Sequence, residues 1–128
     1  MFTPSAIVQA PASAVLTPPS AVDPRAVRAA LSLSYERMGR LLDISGRTVE
    51  RMEQQGRPPR SAAVASRLAQ LAQIVELGRL VYSPEGWHQF LTLPQARFGG
   101  RTALQLLQHG EADRVIGALA TDYDGAPT

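Results

Sequence analysis

Apolar residues fall at helical spacing almost everywhere after position 22, and no alternating strand pattern stands out. In the longest periodic stretch, residues 61–82, Val64, Leu68, Leu71, Val75 and Gly78 trace one face, widened by Ile74, Leu77 and Val81. A face that broad has neighbours on more than one side. The segment is therefore expected to be a connecting helix that joins the two ends of the chain and helps form a homodimer. Upstream, Asp23-Pro24 is a helix start, with Asp as N-cap and Pro in the first turn. That helix should run to about Leu31 and bury Val27, Ala30 and Leu31. Downstream, Ser83-Pro84 opens a short helix holding Trp87, Phe90 and Leu91, and residues 93–101 read as a loop. Thr102 and Gln105 have capping-box spacing ahead of a helix that buries Leu104, Leu106 and Leu107 and ends at Gly110. A last helix, about Glu111 to Ala120, buries Ala112, Val115, Ile116 and Leu119, and Asp122 to Thr128 is left as a short acidic tail. The expected fold class is all-α.

Between Leu33 and Gln55 the pattern is more specific. Numbered from Tyr35, the apolar residues Met38, Leu42, Ile44, Val49 and Met52 fall at the fourth, eighth, tenth, fifteenth and eighteenth places. The fifth place, where two crossing helices approach most closely, is Gly39. The ninth, at the turn, is Asp43, a residue type that tolerates the left-handed conformation. Ser34 and Ser45 are placed to cap the two helices, and Gly56, Pro58 and Pro59 stop the second. Apolar crossing positions, a small residue at the close approach and a turn between are what a helix-turn-helix requires. With Val49 and Met52 turned inward, Ser45, Arg47, Thr48, Glu50, Arg51 and Gln54 are the residues expected to meet DNA. In this motif the start of the second helix reaches base edges in the major groove. The bland alternative is an ordinary helical hairpin with a solvated charged face. Arg57 and Arg60 beyond the helix fit either a DNA backbone contact or plain solvation.

Charge sharpens this picture only through its distribution. The 128-residue chain carries a formal net charge of +2, weak for a nucleic-acid binder. From Asp23 to Arg60, however, there are eight Arg against five acids, and from Ser61 onward five Arg against six. The basic surplus thus sits on the candidate DNA-binding half. Every basic residue is Arg, which with so much Ala fits genomic base composition as well as selection for Arg chemistry. A hydrophobic content of 45% is enough for a core. There is no cysteine, which excludes disulfides and thiolate metal sites. No apolar run approaches the ~18 residues of a membrane span, and the N-terminus lacks the pattern of a signal peptide. A cytoplasmic protein with no membrane partner is expected. Residues 1–22 carry no charge and four prolines, and read as a disordered or loosely docked arm.

Nothing in the chain reads as catalytic. His88 and His109 lack partners at metal-ligand spacing, so no metal site is expected. Gly99-Gly100 precedes a helix but carries no other part of a phosphate-binding loop. Glu111 and Asp113 point different ways on a helix and are better placed to complement the positive end of the last helix. No cofactor and no small-molecule substrate are expected.

The segment GWHQFLTLPQARFGGRTALQLLQHGEADRVIGAL, Gly86 to Leu119, resembles the C-terminal domain of MbcA/ParS/Xre-type antitoxins. The resemblance rests on Trp87, Leu93, Pro94, Phe98, Gly99, Gly100, Arg101, Leu104, Leu107, Gly110, Val115 and Leu119. Ala103 departs from it, since the family usually has Pro after the Arg-Thr pair. With the Xre-like helix-turn-helix ahead of it, the likeness covers nearly everything after Val22. It implies an antitoxin that pairs with a RES-domain toxin consuming NAD, blocks its active site with the C-terminal end, and represses the shared operon. It offers Trp87, Phe98, Gly99, Gly100 and Arg101, with Asp122, Tyr123 and Asp124 of the tail, as toxin contacts. By their residue types alone, Trp87 and Phe98 read as core or loop anchors. Arg101 reads either as a loop tie or as a grip on a partner carboxylate. The tail reads as a frayed end or, in this family context, as a plug whose acids imitate the ligand's phosphate charge.

The organisation expected is an arm over 1–22, a helix-turn-helix over 23–60, a connecting helix over 61–82 and a toxin-binding domain over 83–128. The rival expectation is an immunity or adaptor protein whose helix-turn-helix does not bind DNA. The low net charge and the acid Glu50 keep that rival open.

Overall fold

Helix boundaries in the computed structural model, which describes residues 22–125, follow the caps. Helix α1, Pro24–Leu31, starts where the Asp23 carboxylate accepts the Arg25 N–H at 3.0 Å, and ends at Ser32, whose φ is +57°. Helix α2, Tyr35–Leu42, is capped by Ser34 and stopped by Asp43 in the left-handed conformation, φ +62°. Helix α3, Gly46–Gln55, is capped by Ser45, which accepts from the Thr48 N–H, and stops at Gly56. Helix α4, Ala62–Val81, is capped by Ser61, and α5, Pro84–Thr92, by Ser83. A 3₁₀ turn, Ala96–Phe98, punctuates the following loop. Helix α6, Ala103–Gln108, carries both hydrogen bonds of the capping box between Thr102 and Gln105. Helix α7, Ala112–Gly125, is the last. The described residues hold no strand beyond a single antiparallel bridge between Gln95 and Arg101, so the fold is all-α.

Helix α4 is the spine. It packs against α1 and α2 on one side and α5 and α7 on the other, while α6 bridges α5 and α7 and reaches α2. This is why its apolar face is so wide. Val64, Leu68, Leu71, Ile74, Val75 and Gly78 are all buried along it. The buried side chains form one cluster from Val27 to Leu119, so the segments on either side of α4 share a core. No described helix is long and apolar enough to cross a membrane. The expected arm lies outside the described residues except for Val22, which is half-buried against the core.

One helix runs further than expected. The sequence suggests an end near Ala120, but α7 continues to Gly125. No glycine or proline stands between Gly117 and Gly125 to break it, and a contact made by Asp122 with another part of the chain holds the extra turn.

Candidate nucleic-acid and partner surfaces

Helices α2 and α3 cross where neither can carry a side chain. A Cβ on Gly39 would stand 2.5 Å from the carbonyl oxygen of Ile44, and one on Gly46 would stand 2.9 Å from the amide nitrogen of Glu36. Two glycines therefore allow the backbones to touch. Met38, Leu42 and Val49 fill the crossing and are fully buried, while Ile44 and Met52 are half-buried at its edge.

The outer face of α3 carries what the sequence suggests. Ser45, Arg47, Arg51 and Gln54 are exposed, and Thr48 and Glu50 are half-buried. The hydroxyls of Ser45 and Thr48 lie 2.8 Å apart, which fixes the start of the helix. Arg47, Glu50, Arg51 and Gln54 line one shallow depression. Beside it, Thr48 and Arg51 share a groove of about 440 Å³ with Arg57 and Arg60.

The structure adds a clamp that the sequence reading missed. Glu53 turns inward and its side chain is 0% exposed. Arg28 of α1 grips it through two bonds, Nε to Oε2 at 2.6 Å and Nη2 to Oε1 at 3.0 Å, and Arg25 adds a third at 3.4 Å. Arg28 also donates to the Leu33 carbonyl at 3.1 Å and lies 4.3 Å from the Tyr35 ring centroid. Hydrogen bonding to Glu53 raises the Arg28 pKa further above its ordinary value. The helical spacing held a clue: Glu53 is four residues after the buried Val49, on the inward face, where a carboxylate needs a cation.

In the second half, Trp87 and Phe98 are core residues. Trp87 is 9% exposed and Phe98 2%. Trp87 stacks on Phe90 with centroids 5.7 Å apart, and Phe90 meets Phe98 edge-on at 6.2 Å. A Cβ on Gly78 would collide with the six-membered ring of Trp87. Gly99 and Gly100 are exposed, with φ of +67° and +83°, angles that a side chain would oppose. They let the loop double back, so that Gly100 N–H reaches the Gln95 carbonyl at 2.9 Å and Gln95 N–H reaches the Arg101 carbonyl at 3.0 Å.

That loop is bolted to α7 at three points. Arg101 donates to Glu111 at 2.6 and 3.2 Å, so it ties the loop down. Arg114 donates to the Arg97 carbonyl at 3.2 Å. Arg97 grips Asp122 through two bonds of 2.7 Å. The Tyr82 hydroxyl donates to the same carboxylate. Arg101 first and Arg114 second draw the Glu111 pKa down to about 2. Hydrogen bonding to Arg97 lowers that of Asp122, helped by Tyr82. Burial, then the bond to Asp122, raises that of Tyr82.

Asp122 was expected in a tail, offered to a partner. It is instead a helical residue held by Arg97, whose role no local spacing announced because the pair is 25 residues apart. Tyr123, 55% exposed, and Asp124 face solvent on the same last turn of α7. Leu93, at the start of the loop, is 53% exposed. Residues 126–128 of the expected plug lie outside the described residues. Both histidines are exposed, and the His109 ring Nδ1 sits 2.7 Å from the Gln105 carbonyl at the end of α6.

No protein-family model matches the chain, and no curated protein matches it. Among solved structures, a chain from the crystal structure of the M. tuberculosis MbcT–MbcA toxin–antitoxin complex is similar. The likeness covers 84% of this chain and 96% of that one, at 23% identity and a TM-score of 0.66. The protein thus has the all-α fold of a chain found in a toxin–antitoxin complex.

Proposed function

We propose that this protein is the antitoxin of a type II toxin–antitoxin pair. Residues 83–128 bind and block a RES-domain toxin that consumes NAD. Residues 23–60 act as a helix-turn-helix that holds operator DNA, as a homodimer, and represses the shared operon in the cytoplasm. The protein itself is no enzyme. The observation that carries the reading is the fold shared with a chain of a toxin–antitoxin complex over 96% of that chain. The residues that resemble the antitoxin family agree with it: Trp87, Phe98 and Arg101 build the loop, and Gly99 and Gly100 expose its tip. The edge offered to the toxin is that tip with Leu93, Tyr123 and Asp124. Asp122 supports the edge and is removed from the set of direct contacts.

The DNA half of the reading draws on charge. Glu53 is consumed inside the clamp with Arg28, so the outer face of α3 retains Arg47 and Arg51 against Glu50 alone. Binding to the DNA upstream of its own gene should weaken steeply with salt.

Co-expression with the adjacent RES-domain protein, followed by co-purification and an NAD-consumption assay, tests the toxin half. The comparison is between the full chain and a chain ended after Asp122, which keeps the Arg97 ion pair intact. A stable complex should form, and NAD consumption should return when residues 123–128 are removed. Continued inhibition by the shortened chain would assign the block to the Leu93–Gly100 loop. Failure to form a complex would overturn the antitoxin reading.

A further inference from the structure

The outer face of α3 contains an acid where DNA binding would favour none. Helix α3 carries two carboxylates, and the fold treats them in opposite ways. Glu53 is buried and neutralised by Arg28 and Arg25. Glu50 stays on the outer face and, among the described residues, forms no ion pair. It lies between Arg47 and Arg51, which form none either, and all three line one depression with Gln54. The Gln54 amide reaches the Glu50 carboxylate at 3.5 Å, one helical turn on. Glu50 therefore projects among donors and is not drawn into the protein.

A carboxylate on such a face repels every phosphate it passes and contributes nothing to non-specific binding. Its one favourable partner on a base edge is the N4 amino group of cytosine in the major groove. An Arg beside it suits the O6 and N7 of guanine on the same or the next pair. We propose that Glu50 is a specificity-determining residue. It accepts from cytosine N4 in the operator, while Arg47 and Arg51 donate to a neighbouring guanine or phosphate. This inference rests on the proposed DNA-binding role and names the kind of sequence that role requires, one with a C·G pair at a set position under α3. It also accounts for the low net charge of the chain, because affinity given up to phosphate repulsion is returned as discrimination.

Selection from a pool of duplexes with a randomised central region, read by sequencing and followed by fluorescence-anisotropy titration of the enriched duplexes, tests it. The wild-type chain should enrich a motif with cytosine at one fixed position in each half-site, preferred by about tenfold or more over other bases. Glu50→Gln removes the charge without changing the shape. It should bind random duplex more tightly at low salt, lose the cytosine preference at that position and shift it toward adenine, which suits Gln. Glu50→Ala should lose the cytosine preference without gaining adenine, and circular dichroism of both variants checks that α3 is intact. If wild type enriches a motif and both variants enrich the same one with the same cytosine preference, the role assigned to Glu50 is overturned while DNA binding stands. If wild type enriches nothing, DNA binding fails and the role of Glu50 fails with it.

Discussion

The Trp87 indole N–H donates to the carbonyl oxygen of Ala30 at 2.9 Å, across 57 residues of chain. Ala30 is in the last turn of α1, where carbonyls have no partner further along the helix. Those of Arg28 and Ala29 are met by Leu33 and Ser32, and that of Ala30 by the tryptophan. The helix-rich half that faces a toxin is in this way fastened to the half that faces DNA. Trp87→Phe keeps most of the ring and removes the donor, and should cost about 2 kcal/mol. Thermal unfolding followed by circular dichroism would show it as a lower Tm in a single transition, because both halves share one core.

Glycine substitutions separate local preference from packing. Helix propensity predicts that Gly→Ala inside a helix stabilises by ~1 kcal/mol. Gly117 in α7 meets nothing within 4 Å of a built Cβ, so Gly117→Ala should raise stability by about that amount. Gly78→Ala would drive a methyl into the Trp87 ring, and Gly39→Ala would drive one to 2.5 Å from the Ile44 carbonyl. Both should lower stability, by about 1–3 kcal/mol each, as overpacking does. Urea denaturation of the three variants checks the order, and a stabilised Gly39→Ala would contradict the close crossing of α2 and α3.

The Arg28–Glu53 clamp couples α1 to the DNA-facing helix. Arg28→Ala leaves a fully buried carboxylate with only the longer bond to Arg25, and should cost about 3 kcal/mol, the low end for breaking a buried pair. Replacing both partners by Met should restore much of the loss, because an apolar pair carries no desolvation cost. Chemical denaturation of the single and double variants measures the coupling.

Acid should loosen the loop from α7. Folding lowers the Glu111 pKa from its ordinary 4.5 to about 2, so the contribution is complete above 4.5. It fades as pH falls toward 2 and is gone below, since a lowered carboxylate pKa means the unfolded chain takes up its proton first. Asp122, shifted in the same direction, adds to the loss. Glu111→Gln should be less stable than wild type at neutral pH, and the gap should close between pH 4.5 and 2. Midpoints of urea unfolding across that range test the sign. A gap that widened in acid would exclude the Arg101–Glu111 bond as its source.

What could be read along the chain was what neighbours in sequence decide. Caps at Asp23, Ser34, Ser45 and Thr102, the left-handed stop at Asp43, the glycine at the α2–α3 crossing and the wide face of α4 are all local, set by backbone geometry and a period of 3.6. Their chemistry acts within a few residues, so the sequence by itself determined the helices, their order and most of the core. The ion pairs were different. Arg28 with Glu53, Arg97 with Asp122 and Arg101 with Glu111 join residues 10 to 25 apart. Before folding, each arginine could have met any of eleven acids. Only the packing of α1 on α3 and of the loop on α7 selected among them. That selection moved Asp122 from a presumed tail into the framework, placed Trp87 beneath Ala30, and left Glu50 outside, because a charge is paired or solvated according to which surfaces the tertiary fold brings together.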